Sequence, residues 1–248
     1  MVNEMISNQT NNTATTRENP SEEIITQKTA NGTCVIKMRA VPLPIEVTRL
    51  IDQSLELLKT IKEYESNYST SSMVISDKAM LEIISFKKKL SDIFVENNWD
   101  PESVDRIWAF GPRNCGPNIL FSRFNEYNKS VWPIKGETTV RNQNPSKYEL
   151  FVNNFKNGFQ LATLAGPLCD EPMMGVGFIV EDWIIDDSSC DNQSGGQLYG
   201  PLSGQIVATV KEACKKAFQS KPQRLMVAMY SCCIQVNSEV LGMFYSFF

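Results

Sequence analysis

The stretch "FGPRNCGPNILF" (residues 110–121) sets two Gly-Pro pairs five residues apart, with Arg113, Asn114 and Cys115 between them. Three readings fit it: a loop that grips a ligand, a reactive cysteine site, or a rigid corner between two strands. The whole chain contains no histidine, so Cys115 has no imidazole to take its proton, and no second cysteine stands at metal-ligand spacing. Gly111-Pro112 and Gly116-Pro117 punctuate the chain instead. They place a turn between short strands at 107–110 and 118–122, with Gly116 expected to hold a positive φ.

Composition bounds the rest. The 248 residues, 42% hydrophobic and 21% charged, describe one large or two small soluble domains with a real core. A net charge of -4 argues against a generally basic nucleic-acid binder but leaves room for a local basic face. Seven cysteines without a CxxC pair, behind a start that lacks the apolar core of a signal peptide, read as reduced thiols in the cytosol. The longest uncharged apolar run, 225–238, falls short of the roughly 20 residues that span a bilayer, so no membrane span is expected.

Along the chain, residues 1–32 are polar and poor in large apolar groups, which predicts a disordered lead. A strand at 33–39 ends before Pro42 and Pro44. Val47, Leu50, Ile51, Leu55, Leu58 and Ile61 predict one amphipathic helix over 45–64. A second helix near 76–97 puts Leu81, Ile84, Leu90, Ile93 and Phe94 inward, with Lys87, Lys88 and Lys89 on a solvated face. Asp100 and Pro101 open a short helix. After a polar loop at 123–146, a helix over 147–164 uses Leu150, Phe151, Phe155, Phe159 and Ala162, and Gly166 falls where a C-terminal cap would. A strand at 174–185 carries Val176, Phe178 and Val180 on one face. A helix at 204–220, with Ile206, Val210, Cys214, Ala217 and Phe218 inward, leads to a strand at 223–236. The pattern is α+β, with several helices on one side of a small sheet.

Chemistry-bearing residues are few. No GxxxxGK[ST] phosphate cradle occurs, so this chain should not bind GTP by itself. Glu181, Asp182, Asp186, Asp187 and Asp191 are too irregularly spaced for a magnesium site and read as a solvated acidic loop. Cys232 and Cys233 point to opposite faces of their strand and cannot share a metal. Lys211, Lys215, Lys216, Lys221 and Arg224 gather at the end of the 204–220 helix. There they either complement the helix dipole or contact phosphates, and spacing alone leaves both open.

Four stretches in order, "IWAFGPRNCGPNILF", "GFQLATLAGPLCDEPMMGVGFIVEDW", "SGQIVATVKEACKKAF" and "KPQRLMVAMYSCCIQV", resemble the fourth domain of eukaryotic elongation factor two and its relatives. The resemblance is strongest to the elongation-factor-like GTPases of cytoplasmic large-subunit ribosome assembly. It covers 33–236, and 237–248 resembles the truncated first strand of a fifth domain. In the translocating elongation factors a histidine of the tip loop becomes diphthamide. The matching place here, counted back from Gly204-Gln205-Ile206, is Gly200, which favours the assembly family over the translocase.

The resemblance implies the fold of the second domain of ribosomal protein S5. It also implies a non-catalytic domain that contacts the 60S subunit, both rRNA and ribosomal proteins, during late cytoplasmic maturation and release of an anti-association factor. The Shwachman-Bodian-Diamond protein is the implied partner, and Tyr199, Gly200, Pro201, Leu202, Ser203, Gly204 and Gln205 the implied tip loop. No cofactor is expected in this chain, because GTP and magnesium belong to a domain of the parent family that is absent here. The chain is therefore expected to be a piece of a longer GTPase. The alternatives are a piece of a translocase or a nonfunctional truncated product.

Overall fold

A computed structural model of the chain describes residues 2–6, 23–67, 76–127, 129–133, 146–186 and 201–227. In chain order its elements are β1 (Val2–Ile6), β2 (Ile25–Lys28), β3 (Cys34–Pro42), α1 (Ile45–Gln53), α2 (Leu55–Asn67), α3 (Asp77–Glu96), a 3-10 turn (Pro101–Arg106), β4 (Ile107–Gly111), β5 (Asn118–Ser122), α4 (Lys147–Leu164), β6 (Val176–Ile185), α5 (Leu202–Gln219) and β7 (Gln223–Val227). Five strands make a mixed sheet in the order β2-β3-β6-β5-β4. All pairs are antiparallel except β5 with β6, which are joined through α4 as a parallel pair requires.

Helices cover both faces of this sheet, which corrects the one-sided expectation. Cys34, Ile36, Met38 and Ala40 of β3, Leu120 of β5, and Val176, Phe178 and Val180 of β6 pack in one core with α4 and α5. Ile107, Phe110, Ile119, Phe121 and Ile179 belong to a second core with α1, α2 and α3. The physical reason is in the strands: every residue of β4 and β5 is buried, and a strand apolar on both sides needs two covers. In the first core Trp183 is fully buried, with ring centroids 4.9 Å from Phe155 and 5.2 Å from Tyr148. Its indole N–H donates to the Cys34 sulfur at 3.3 Å. Burying each such ring contributes about 2–3 kcal/mol of transfer free energy.

Local chemistry sets the helix limits. Ser76 Oγ accepts from Ala79 N at 3.2 Å to start α3. Ser146 Oγ accepts from Glu149 N at 3.3 Å to start α4, and both caps satisfy a first-turn donor. Asp100 Oδ1 accepts from Glu102 N at 3.0 Å ahead of Pro101, as the sequence suggested. The expected single helix over 45–64 is two, because Ser54 (φ −111°, ψ 24°) ends α1 while its carbonyl accepts from Leu58 N to begin α2.

Other expectations fail in instructive ways. The lead is ordered at both ends of the described part, since β1 and β2 lie inside residues 1–32. Short strands form there because partner edges, rather than their own composition, stabilise them. In α3 the inward residues are Met80, Ile83, Phe86, Leu90 and Phe94, while Leu81 and Ile84 face outward. Leu150 of α4 is likewise exposed, and Tyr148 and Val152 are buried in its place. A shift of one residue in α3 and two in α4, about 100° and 200° around the helix, separates the two choices, and only the neighbouring layers fix it. β7 does not join the main sheet but pairs antiparallel with β1. Its expected continuation through 228–236 lies outside the described residues, as do 237–248. Ala165, not Gly166, caps α4.

Candidate functional site

The start of α5 presents an open helix terminus. Pro201 precedes it with no side-chain cap, and its first turn holds no acidic residue. Gly204 N and Gln205 N reach back to Pro201 O at 3.1 and 3.2 Å, which leaves the N–H groups of Leu202 and Ser203 without an intrahelical acceptor. Gly204 is exposed, and a Cβ there would meet nothing within 4 Å. The positive end of the helix dipole lies at this terminus, where an anion is favoured.

The turn joining β2 to β3 stands beside it. Asn31 N donates to Gln205 Oε1 at 3.4 Å. Asn31 Oδ1 accepts from Thr33 N and Thr33 Oγ1 at 3.2 and 2.8 Å, and Gly32 holds φ +76°. Gln205 is itself buried, so it ties the turn to the helix rather than facing a partner. An open groove runs between Gln27 and Ala30 on one wall and Gly204 and Ala208 on the other. The sequence reading missed this turn because it lay inside the supposed disordered lead. The signal that could have found it is Asn31-Gly32, a hairpin dipeptide.

The basic residues lie apart from that terminus. At the helical rise, Lys211 to Lys216 sit about 10–18 Å along the axis from Gly204. Lys215 Nζ is 3.8 Å from Asp170, and Lys216 Nζ is 3.6 Å from Glu212 and 3.1 Å from Gln27 Oε1. Arg224 is exposed with Nη2 3.5 Å from the Met5 sulfur, while Lys211 and Lys221 are half-buried. The structure thus brings Pro201 to Gln205 together with the Ala30–Thr33 turn, and engages Lys215 and Lys216 with side chains of the chain itself. Tyr199 and Gly200 lie outside the described residues, as do Asp187, Asp191, Cys232 and Cys233.

The remaining candidates are structural. Glu181 accepts from Arg39 at 2.6 Å with Arg123 at 3.6 Å, and Asp182 pairs with Lys37 at 3.0 Å. Glu181 is the extra residue of the bulge where β3 slips against β6, and Asp182 follows it. Lys87 is not simply solvated: it pairs with Asp105 and sits 5.8 Å over the Trp132 ring.

In the Gly-Pro loop, Arg113 and Asn114 hold φ +57° and +59°, whereas Gly116 does not hold a positive φ. Gly116 is glycine because a Cβ would collide with Pro112 and the Gly111 carbonyl. Gln160 clamps the loop, accepting from Asn114 N at 2.9 Å and donating to Phe110 O at 2.7 Å. Asn118, fully buried, donates to Gly111 O and Met173 O and accepts from Val176 N, at 2.9, 2.8 and 3.0 Å. A loop so held is a corner of the scaffold. Burial pushes the Cys34 thiol up to about 11 although the Trp183 N–H pulls it partly back, and burial pushes Cys214 higher still. Such thiols are poor nucleophiles.

With this geometry in place, comparison with known proteins is specific. Residues 39–123 match the family model described as the Elongation factor-like GTPase 1-like domain. The chain is 37% identical to Elongation factor-like GTPase 1 of Mus musculus and 35% identical to that of Homo sapiens. Each match covers 91% of this chain and 24% of the relative. It is 34% identical to Ribosome assembly protein 1 of Schizosaccharomyces pombe, over 86% of this chain and 22% of that protein. The chain spans about a quarter of the length of these curated relatives. On this evidence the chain belongs with the elongation factor-like GTPase 1 proteins, as a homologue of one portion of them.

Proposed function

We propose that this chain is the ribosome-contacting, non-catalytic domain of an elongation-factor-like GTPase, acting in cytoplasmic maturation of the 60S subunit and release of an anti-association factor. The observation that carries the reading is the uncapped start of α5 beside the Ala30–Thr33 turn. It offers backbone donors, no acid in the first turn and an open glycine, features that admit an RNA phosphate to close range. The names of its relatives, an elongation factor-like GTPase and a ribosome assembly protein, supply the ribosome.

The mixed sheet with its parallel β5–β6 pair supports an arrangement like the second domain of ribosomal protein S5. GTP and magnesium are assigned to another part of the parent family, and no reaction step is assigned here. The Shwachman-Bodian-Diamond protein is the partner this reading adds for the longer protein.

Pelleting with purified large subunits tests it. Association should weaken steeply with salt, because phosphate contacts release counterions. Charge reversal at Lys211 and Lys221, which form no ion pair among the described residues, separates a lysine contribution from that of the helix terminus. Loss of salt dependence, or no association at low salt, would count against the reading.

A further inference from the structure

Glu4 is a fully buried carboxylate whose partners are backbone groups of a distant loop. Its oxygens accept from Cys169 N at 2.7 Å and from Leu168 N at 3.2 Å. Gly166 curls around the carboxylate so closely that a Cβ there would occupy the place of its oxygen. Gly166 N donates to Glu171 O at 2.9 Å, and Asp170 holds φ +57°, so residues 166–171 form a closed concave cup with successive N–H groups aimed inward. That is the form of a backbone anion nest, and hydrogen bonds to an ionised acceptor are the stronger kind.

The strand bearing Glu4 is held along both edges as well. On one side Glu4 N donates to Pro172 O at 3.0 Å and Glu4 O accepts from Met174 N at 2.7 Å. On the other, β1 pairs with β7 from Val2↔Val227 to Ile6↔Gln223. Met5 and Ile6, next in line, are buried, with Ile6 in the first core. Main-chain pairing on both edges, a charged anchor and two apolar anchors are the means by which a cleft recognises an extended peptide by strand addition.

We propose that the cleft between β7 and residues 166–174 is a peptide-binding groove for an extended segment reading acidic, apolar, apolar, with Glu4-Met5-Ile6 of the chain itself as its resident ligand. The groove lies beyond the C-terminal end of α5, at the opposite end of that helix from Gly204.

To test it, the full chain is folded with a protease site placed between residues 7 and 22, then cut, and challenged with a labelled peptide of residues 1–9. The amino-terminal piece should stay bound through gel filtration and exchange for the labelled peptide. The same peptide carrying Glu4→Ala should compete at least about tenfold more weakly, because the nest donors lose their charged acceptor. Three results would each overturn the proposal. These are release of the piece on cutting while the remainder keeps its thermal transition, unfolding of the remainder on cutting, and equal competition by the Glu4→Ala peptide.

Discussion

Lys156 and Glu65 form a buried ion pair between α4 and α2, and removing either partner should have unequal consequences. Lys156 Nζ lies 2.5 Å from Glu65 Oε1 with 8% of its side chain exposed, whereas Glu65 is 25% exposed and also accepts from Lys62 at 2.9 Å. Stripping one partner from a fully buried pair costs about 3–5 kcal/mol, and water reaching the exposed part of Glu65 reduces that to about 2–3 kcal/mol for Glu65→Gln. Lys156→Met keeps most of the stem packing and leaves the carboxylate to Lys62 and water, so it should cost about 1 kcal/mol.

Urea unfolding at neutral pH reads the difference. With a slope of about 2–3 kcal/mol per molar, Glu65→Gln should lower the midpoint by about 1 M.

The pH dependence adds a second check. Burial alone would raise the Glu65 carboxyl, but Lys156 and Lys62 together outweigh it and hold it below its ordinary 4.5. A carboxyl lower in the folded state contributes stability above its unfolded pKa and loses it as pH falls through the folded value, so Glu65→Gln should flatten the acid limb. Burial lowers Lys156 below its ordinary 10.5 and Glu65 restores only part. In Glu65→Gln that burial is less opposed, so the deficit should shrink as alkaline pH removes the lysine proton. The reasoning fails if Glu65→Gln stays within about 0.5 kcal/mol of the parent, or if Lys156→Met costs more.

Gly116→Val should destabilise by about 2–3 kcal/mol through collision with Pro112, and an unchanged melting temperature would refute the contact. Gly204→Ala should instead raise stability by about 0.5 kcal/mol, since its methyl meets open space in a helix, and calorimetry detects a drop if the space is filled. Alkylation followed by peptide mass spectrometry should label exposed Cys169 in the native protein and reach buried Cys34 and Cys214 only after unfolding. Labelling of Cys214 at the rate of Cys169 would contradict the packing of α5 on the sheet.

The sequence made the centre of the fold legible and left its margins dark. Gly-Pro punctuation placed β4 and β5, whose bounds differ from expectation by one residue at most. Alternation placed β6, and Asp100-Pro101 placed the short turn. The phase of α3 and α4 was not legible, because Leu81 and Ile83 are equally apolar and only the layer beneath selects between them. β1 and β2 were invisible for a different reason. A strand such as Ile25–Lys28 carries little signal of its own and exists because β3 offers an edge. Half of the candidate site was therefore named from the start of α5, while the Asn31-Gly32 turn and the Glu4 cup needed tertiary contacts to appear.

The central claim is that the start of α5 meets RNA phosphate on the large subunit, and Gly204→Glu tests it most directly. The site is exposed and open, and an acid in the first turn favours the helix itself, so folding should be unharmed. Pelleting of the full chain with large subunits at about 50 mM salt should then be lost with the melting temperature unchanged. Pelleting of Gly204→Glu at the level of the parent chain would contradict the account.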